Sequence, residues 1–226
     1  ATWQDFWLNE GWTTYAETRI TEVLEGKDIV DLHLAFNERQ LIALMERVGM
    51  DSPLTQLKLP AEKDADSFTT SIPYYKGCFF LQECEYAVGR ERFDAFIQKY
   101  MASFQFQSLT TEAFLDFLKA ELPEVFEKVD VHKWIYETGL PEKRHRPKSR
   151  LYDEVQQALN DYERGVKPTK EQLQGWHRYQ ILSFLQGLPR KISVEDCQYF
   201  DEILELDKRN DVALFSYFYV IAIASG

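Results

Sequence analysis

The stretch Asp5-Phe6-Trp7-Leu8-Asn9-Glu10-Gly11-Trp12-Thr13-Thr14-Tyr15-Ala16-Glu17 decides how the rest of this 226-residue chain is read. Glu10 and Glu17 are seven residues apart, about two helical turns, so both carboxylates project from one face of a helix. Aromatic and small residues surround them where a solvated helix would carry Lys and Arg. A carboxylate in such a setting requires a cation or a hydrogen-bond donor, because burying it unpaired is costly. Gly11 lets a neighbouring backbone or a substrate approach the helix closely.

The chain is long enough to bury a substantial core in one large domain or two smaller ones. Its 45% hydrophobic and 15% aromatic content is that of a globular protein. A net charge of −11 argues against nucleic acid, whose phosphates would be repelled. An acidic surface favours basic peptides, but ordinary solubilisation is the commoner reason for such acidity. Cys78, Cys84 and Cys197 are odd in number and lack CxxC spacing, which predicts free thiols in a reducing, cytoplasmic setting.

Nearly every segment reads as helix. Apolar periodicity predicts helices over 5–25, ending near Gly26, and over 31–48, closed by Gly49. A loop rich in Pro, Lys, Asp and Ser follows from Asp51 to Ser71, and Leu54–Leu59 is the one candidate for a short extended piece. Pro73 opens a helix through Val88, with Gly89 as its stop. Further helices are expected over 91–102, over 112–121 with Thr110 or Thr111 as cap, and after an Asp130 cap up to Gly139 and Pro141.

Pro141-Glu-Lys-Arg-His-Arg-Pro-Lys-Ser-Arg150 reads as a solvated basic linker and marks a domain boundary between 1–140 and 151–226. Beyond it the pattern predicts helices over 151–164, over 170–187 behind a Thr169 capping box, and from a Ser193 cap to about Leu206. Short connections suggest antiparallel hairpins in a helical array. The last segment, Val212–Ala224, is apolar on all sides yet too short to span a bilayer. Further helices or a partner are expected to cover it, and no membrane segment is expected.

Phe6-Trp7-Leu8-Asn9-Glu10-Gly11 resembles the downstream half of the zinc site in the gluzincin aminopeptidases, the family of aminopeptidase N, aminopeptidase B and leukotriene A(4) hydrolase. There an Asn-Glu-Gly supplies the third zinc ligand after an upstream His-Glu-x-x-His has supplied two. Ser71-Ile72-Pro73-Tyr74-Tyr75-Lys76-Gly77 resembles the family's Tyr-x-Lys-Gly, whose tyrosine donates to the oxyanion of the tetrahedral intermediate.

The resemblance implies an all-α chain: the helical lobe of a thermolysin-like catalytic domain over 1–140, then a truncated armadillo- or HEAT-like helical array. It implies Glu10 as a zinc ligand, Glu17 as the acceptor that orients a ligand imidazole, and Tyr74 as the catalytic phenol. Asp66 aligns with an acidic position that contacts basic N-terminal side chains of peptide substrates, with Asp64 two residues away. Thr69 replaces a tyrosine of the leukotriene hydrolase branch, which makes epoxide hydrolysis doubtful.

No His-Glu-x-x-His occurs in the sequence. His33, His132, His145 and His177 form no His-x-x-x-His pair that could replace it, and there is no Gly-x-Ser-x-Gly elbow or phosphate loop. The expectation is therefore one part of a zinc metalloaminopeptidase, inactive alone. The alternative is a non-catalytic helical module that binds a partner through Val212–Ala224.

Overall fold

A computed structural model describes residues 2–61, 70–208 and 211–226, and within them the chain is all-α, with no strand. It divides into two compact units, Ala1–Gly26 with Asn37–Arg146, and Lys27–Phe36 with Pro147–Gly226.

In the first unit α1 (Trp7–Glu25) follows a short 3-10 turn and ends at Gly26, whose φ of +91° suits glycine. The second half of α2 (Lys27–Val48) belongs here, with Leu41 and Met45 fully buried. Pro73 sits in the first turn of α3 (Ile72–Val88), where its missing N–H costs no helical bond. Gly89 separates α3 from α4 (Arg90–Phe104). The hydroxyl of Thr110 accepts from the Ala113 amide to start α5 (Thr111–Glu121), and Asp130 accepts from the Lys133 amide to start α7 (Val131–Tyr136). Between them Pro123 opens α6 (Pro123–Lys128), a helix the periodicity did not predict.

The core of this unit is aromatic. Trp7 meets Phe80 and Phe114 edge-on at 5.7 and 5.5 Å, and Trp12 stacks on Tyr100 at 5.3 Å. Such pairs add about 0.5–1.5 kcal/mol each to the gain from burial. The apolar positions of the opening helix thus face α3, α4 and α5, which fixes the direction of its polar positions.

The second unit holds the first half of α2, α8 (Arg150–Glu163), α9 (Lys170–Gln174), α10 (Arg178–Gly187), α11 (Val194–Leu204) and α12 (Val212–Ser225). Phe36, Trp176, Phe184, Phe200 and Phe218 lie in one cluster with Val155, Leu173 and Ile181. Ser149, Thr169 and Ser193 each accept an amide hydrogen at a helix start. α12 buries Leu214, Phe218 and Ile221 and leaves Val212, Val220 and Ile223 exposed.

Several sequence expectations are corrected. The helix predicted over 170–187 is two helices, because the His177 ring accepts from the Tyr179 amide and Gln180 Oε1 accepts from the His177 amide, restarting the chain as α10. Leu54–Leu59 is not a strand: Pro53–Thr55 form a 3-10 turn capped by Ser52. Lys27–Phe36 groups with Pro147–Gly226 in the second unit. The expected solvated linker is tied down: Arg144 pairs with Glu38 at 2.8 Å, and Glu83 accepts from the His145 amide at 2.6 Å. Cys78, Cys84 and Cys197 are free and buried.

Candidate active site

The site is built on the crossing of α1 and α3. Gly11 and Gly77 meet there with almost no space between backbones, so the two helices approach at a point where neither carries a side chain. One residue before Gly11 stands Glu10, half-buried, and three before Gly77 stands Tyr74, also half-buried. The crossing brings them together: burial, and then the charge and side-chain hydrogen bond of Glu10, hold the Tyr74 phenol above its ordinary pKa. Phe6, one turn before Glu10, sets its ring edge-on to Tyr74 at 5.9 Å. No Lys, Arg or His among the described residues pairs with Glu10.

Polar groups hold α1 at its start and along its middle. At its start Asp5 Oδ1 accepts from the Thr111 amide at 2.8 Å, from the Thr111 hydroxyl at 2.8 Å and from Lys58 Nζ at 2.7 Å. Burial alone would raise the Asp5 pKa; the Lys58 ammonium and the Thr111 donors outweigh it and bring it down to about 2. Trp7 Nε1 donates to the same Thr111 hydroxyl at 3.1 Å.

Beyond Glu10, the Tyr15 hydroxyl donates to Glu85 at 2.5 Å and accepts from Arg19 at 2.8 Å. Arg19 grips Asp94 of α4 with two bonds, at 2.8 and 3.0 Å. Burial, then Glu85, pushes the Tyr15 phenol well above its usual range.

Lys76 follows Tyr74 by two residues and is fully buried. Its Nζ donates to the carbonyls of Thr55 at 2.8 Å and Glu137 at 3.1 Å. Burial first, then the charge of Lys133, lowers its pKa to about 7.

Of the residues singled out in the sequence, the structure brings together Glu10 and Tyr74. Glu17 is exposed, and its charge acts on Cys78, not on that pair. Asp66, Asp64 and Thr69 lie outside the described residues. Asp5, Phe6 and Lys76 were missed as parts of the site. For Gly77 the signal was present, a second glycine in the other matching motif.

The described residues contain no group of three His, Cys, Asp or Glu side chains able to hold a metal. A hydrolytic zinc takes three protein ligands. The carboxylate of Glu10 fits one such position, and no other donors among the described residues fill the remaining ones.

Residues 1–134 match the peptidase family M1 domain, and the chain belongs to that family. Over its whole length it is 31% identical to leucine aminopeptidase 2 of Aspergillus clavatus, covering 39% of that protein. It is 33% identical to a leukotriene A-4 hydrolase homolog of Botryotinia fuckeliana, over 82% of this chain and 30% of that protein. The chain thus spans about two fifths or less of the curated relatives it matches. The fold is that of yeast LTA4 hydrolase, solved in complex with bestatin: TM-score 0.81 at 24% identity, covering 96% of this chain and 40% of that one.

Proposed function

We propose that this chain is the helical lobe of a zinc aminopeptidase and contributes Glu10 as a metal ligand and Tyr74 as oxyanion donor. The remaining ligands, the His-Glu-x-x-His pair, are not among its 226 residues. The observation that carries this reading is the juxtaposition of Glu10 and Tyr74 across the Gly11–Gly77 crossing. Membership of peptidase family M1 supports it.

Zinc, when bound, supplies a nucleophile near neutral pH by acidifying a water molecule. Peptide hydrolysis adds hydroxide to the carbonyl carbon, breaks the C–N bond and returns a proton to the leaving amine. Negative charge develops on the former carbonyl oxygen. Tyr74, whose pKa is raised, keeps its proton at neutral pH and can donate to that oxygen. Phe6 packs its ring edge-on against the phenol.

The substrates are N-terminal residues of peptides, with a lean toward basic ones from the net charge of −11. Three buried free thiols support a reducing, cytoplasmic setting.

A peptidase assay on the full-length zinc protein tests the roles. Glu10→Gln and Tyr74→Phe should each lower turnover at least about tenfold, roughly 1.4 kcal/mol of barrier. The 226-residue chain alone should show no turnover and no micromolar zinc binding that Glu10→Ala abolishes. A non-catalytic interaction module is the second reading, and the exposed Val212, Val220 and Ile223 of α12 support it. Turnover that survives both substitutions would overturn the roles assigned to Glu10 and Tyr74.

A further inference from the structure

Lys76 has no exposed surface, and among the described residues it has no carboxylate within ion-pair distance. Among the described residues its amine is held by two backbone carbonyls, from Thr55 and Glu137. A buried amine satisfied in this way is a poor means of stabilisation, since an apolar side chain of the same volume commonly does as well or better. Its position on α3 suggests what it does.

At about 100° per residue, Gly77 lies roughly 60° from Tyr74 around the helix, while Lys76 lies about 160° from Tyr74 on the far side. Tyr74 and Gly77 therefore face α1, and Lys76 faces the opposite wall. That wall is itself stitched together: the Thr55 hydroxyl donates to the Ser52 carbonyl at 2.8 Å and accepts from the Gly139 amide at 2.9 Å. The first turn of α3 is thus held from both sides, by a glycine contact toward α1 and by an amine anchored to a braced pair of segments.

We propose that Lys76 is a positioning residue for Tyr74: its tether to the Thr55 and Glu137 carbonyls sets the rotation and depth of the first turn of α3, and so aims the phenol at Glu10. The inference rests on Tyr74 as oxyanion donor and extends that reading to the residue that aims it.

The test uses the 226-residue chain, with tyrosines and phenylalanines labelled for NMR, at one pH. Two signals are read: the nuclear Overhauser effect between the Phe6 and Tyr74 rings, and the Tyr74 Cζ resonance, assigned to its contact with Glu10 through Glu10→Gln. Lys76→Met should at least halve the Phe6–Tyr74 effect and move the Tyr74 resonance toward its position in Glu10→Gln. Val125→Ala, a core truncation in α6, serves as the control for lost stability and should leave both signals in place. Should Lys76→Met not fold, Lys76→Gln, which falls short of the two carbonyls, is read in the same way.

The proposal is overturned if the Lys76 variants melt lower, as Val125→Ala does, yet keep both signals. If Glu10→Gln leaves the Tyr74 resonance unmoved, the Glu10–Tyr74 pairing fails instead. The ring–ring effect still reports on Lys76 in that case.

Discussion

A Cβ placed on Gly11 would lie 2.9 Å from the Cα of Gly77, and one placed on Gly77 would lie 2.8 Å from the Cα of Gly11. Backbone cannot yield as a flexible side chain can, so either substitution must push α1 and α3 apart. Gly11→Ala and Gly77→Ala should each destabilise the chain by about 1–3 kcal/mol in urea unfolding. The double variant should lose less than the sum, because both substitutions break one contact. Full additivity would mean that the crossing is not shared.

Asp5 ties the start of α1 to α5, and its lowered pKa makes that tie sensitive to acid. The unfolded carboxyl titrates near 3.8 and the folded one at about 2, so the stabilisation is complete above pH 4 and disappears as pH falls toward 2. The shift corresponds to about 2 kcal/mol. Asp5→Asn should lower stability at pH 7 by at least that amount and flatten the acid limb of the stability curve between pH 4 and 2.

Lys76 has the opposite pH signature. The folded amine loses its proton near pH 7 and the unfolded one near 10.5, so between these values the unfolded state holds more protons. Its contribution to stability should therefore rise with pH through that window, by a few kcal/mol at most. Urea unfolding of wild type minus Lys76→Met, measured from pH 6 to 10, should show this rise. A flat difference would place the amine in water.

Removing the Tyr15 hydroxyl leaves Glu85 buried without its donor from α1. Tyr15→Phe should cost about 1–3 kcal/mol, more than a neutral surface hydrogen bond would. Glu85 keeps Arg90, whose Nε donates to it at 2.8 Å, so the helix should survive the loss. Thermal melts of Tyr15→Phe and Arg19→Met, alone and combined, check whether the two act as one network.

Much of this was legible in the sequence because local signals act locally. Gly26, Pro73, Thr110, Asp130 and Ser193 mark helix ends through their own backbone or side-chain chemistry, and the structure uses them so. Glu10 was legible as a position from its aromatic neighbours. Its pairing with Tyr74 depended on order in a family motif, since nothing in periodicity says which helices cross.

The misses share a cause. A lysine inside a helix reads as solvated, and only tertiary packing buries Lys76. Glu17 has the right helical phase for Glu10 and stands exposed beside Cys78 of α3. His177 reads as an isolated histidine, and its capping role divides a helix that apolar spacing alone would continue. Arg144 and His145 read as linker because their partners, Glu38 and Glu83, are far away in sequence.

One helix belongs to two bodies. α2 contributes Lys27–Phe36 to the unit that otherwise starts at Pro147, and Asn37–Val48 to the other. A single cut after Arg146 would therefore take Phe36 away from the cluster around Trp176 and Phe184. Gene order and structural modularity part company here. Grafting the C-terminal stretch onto a related enzyme would require ten residues from near the opposite end of the chain to travel with it.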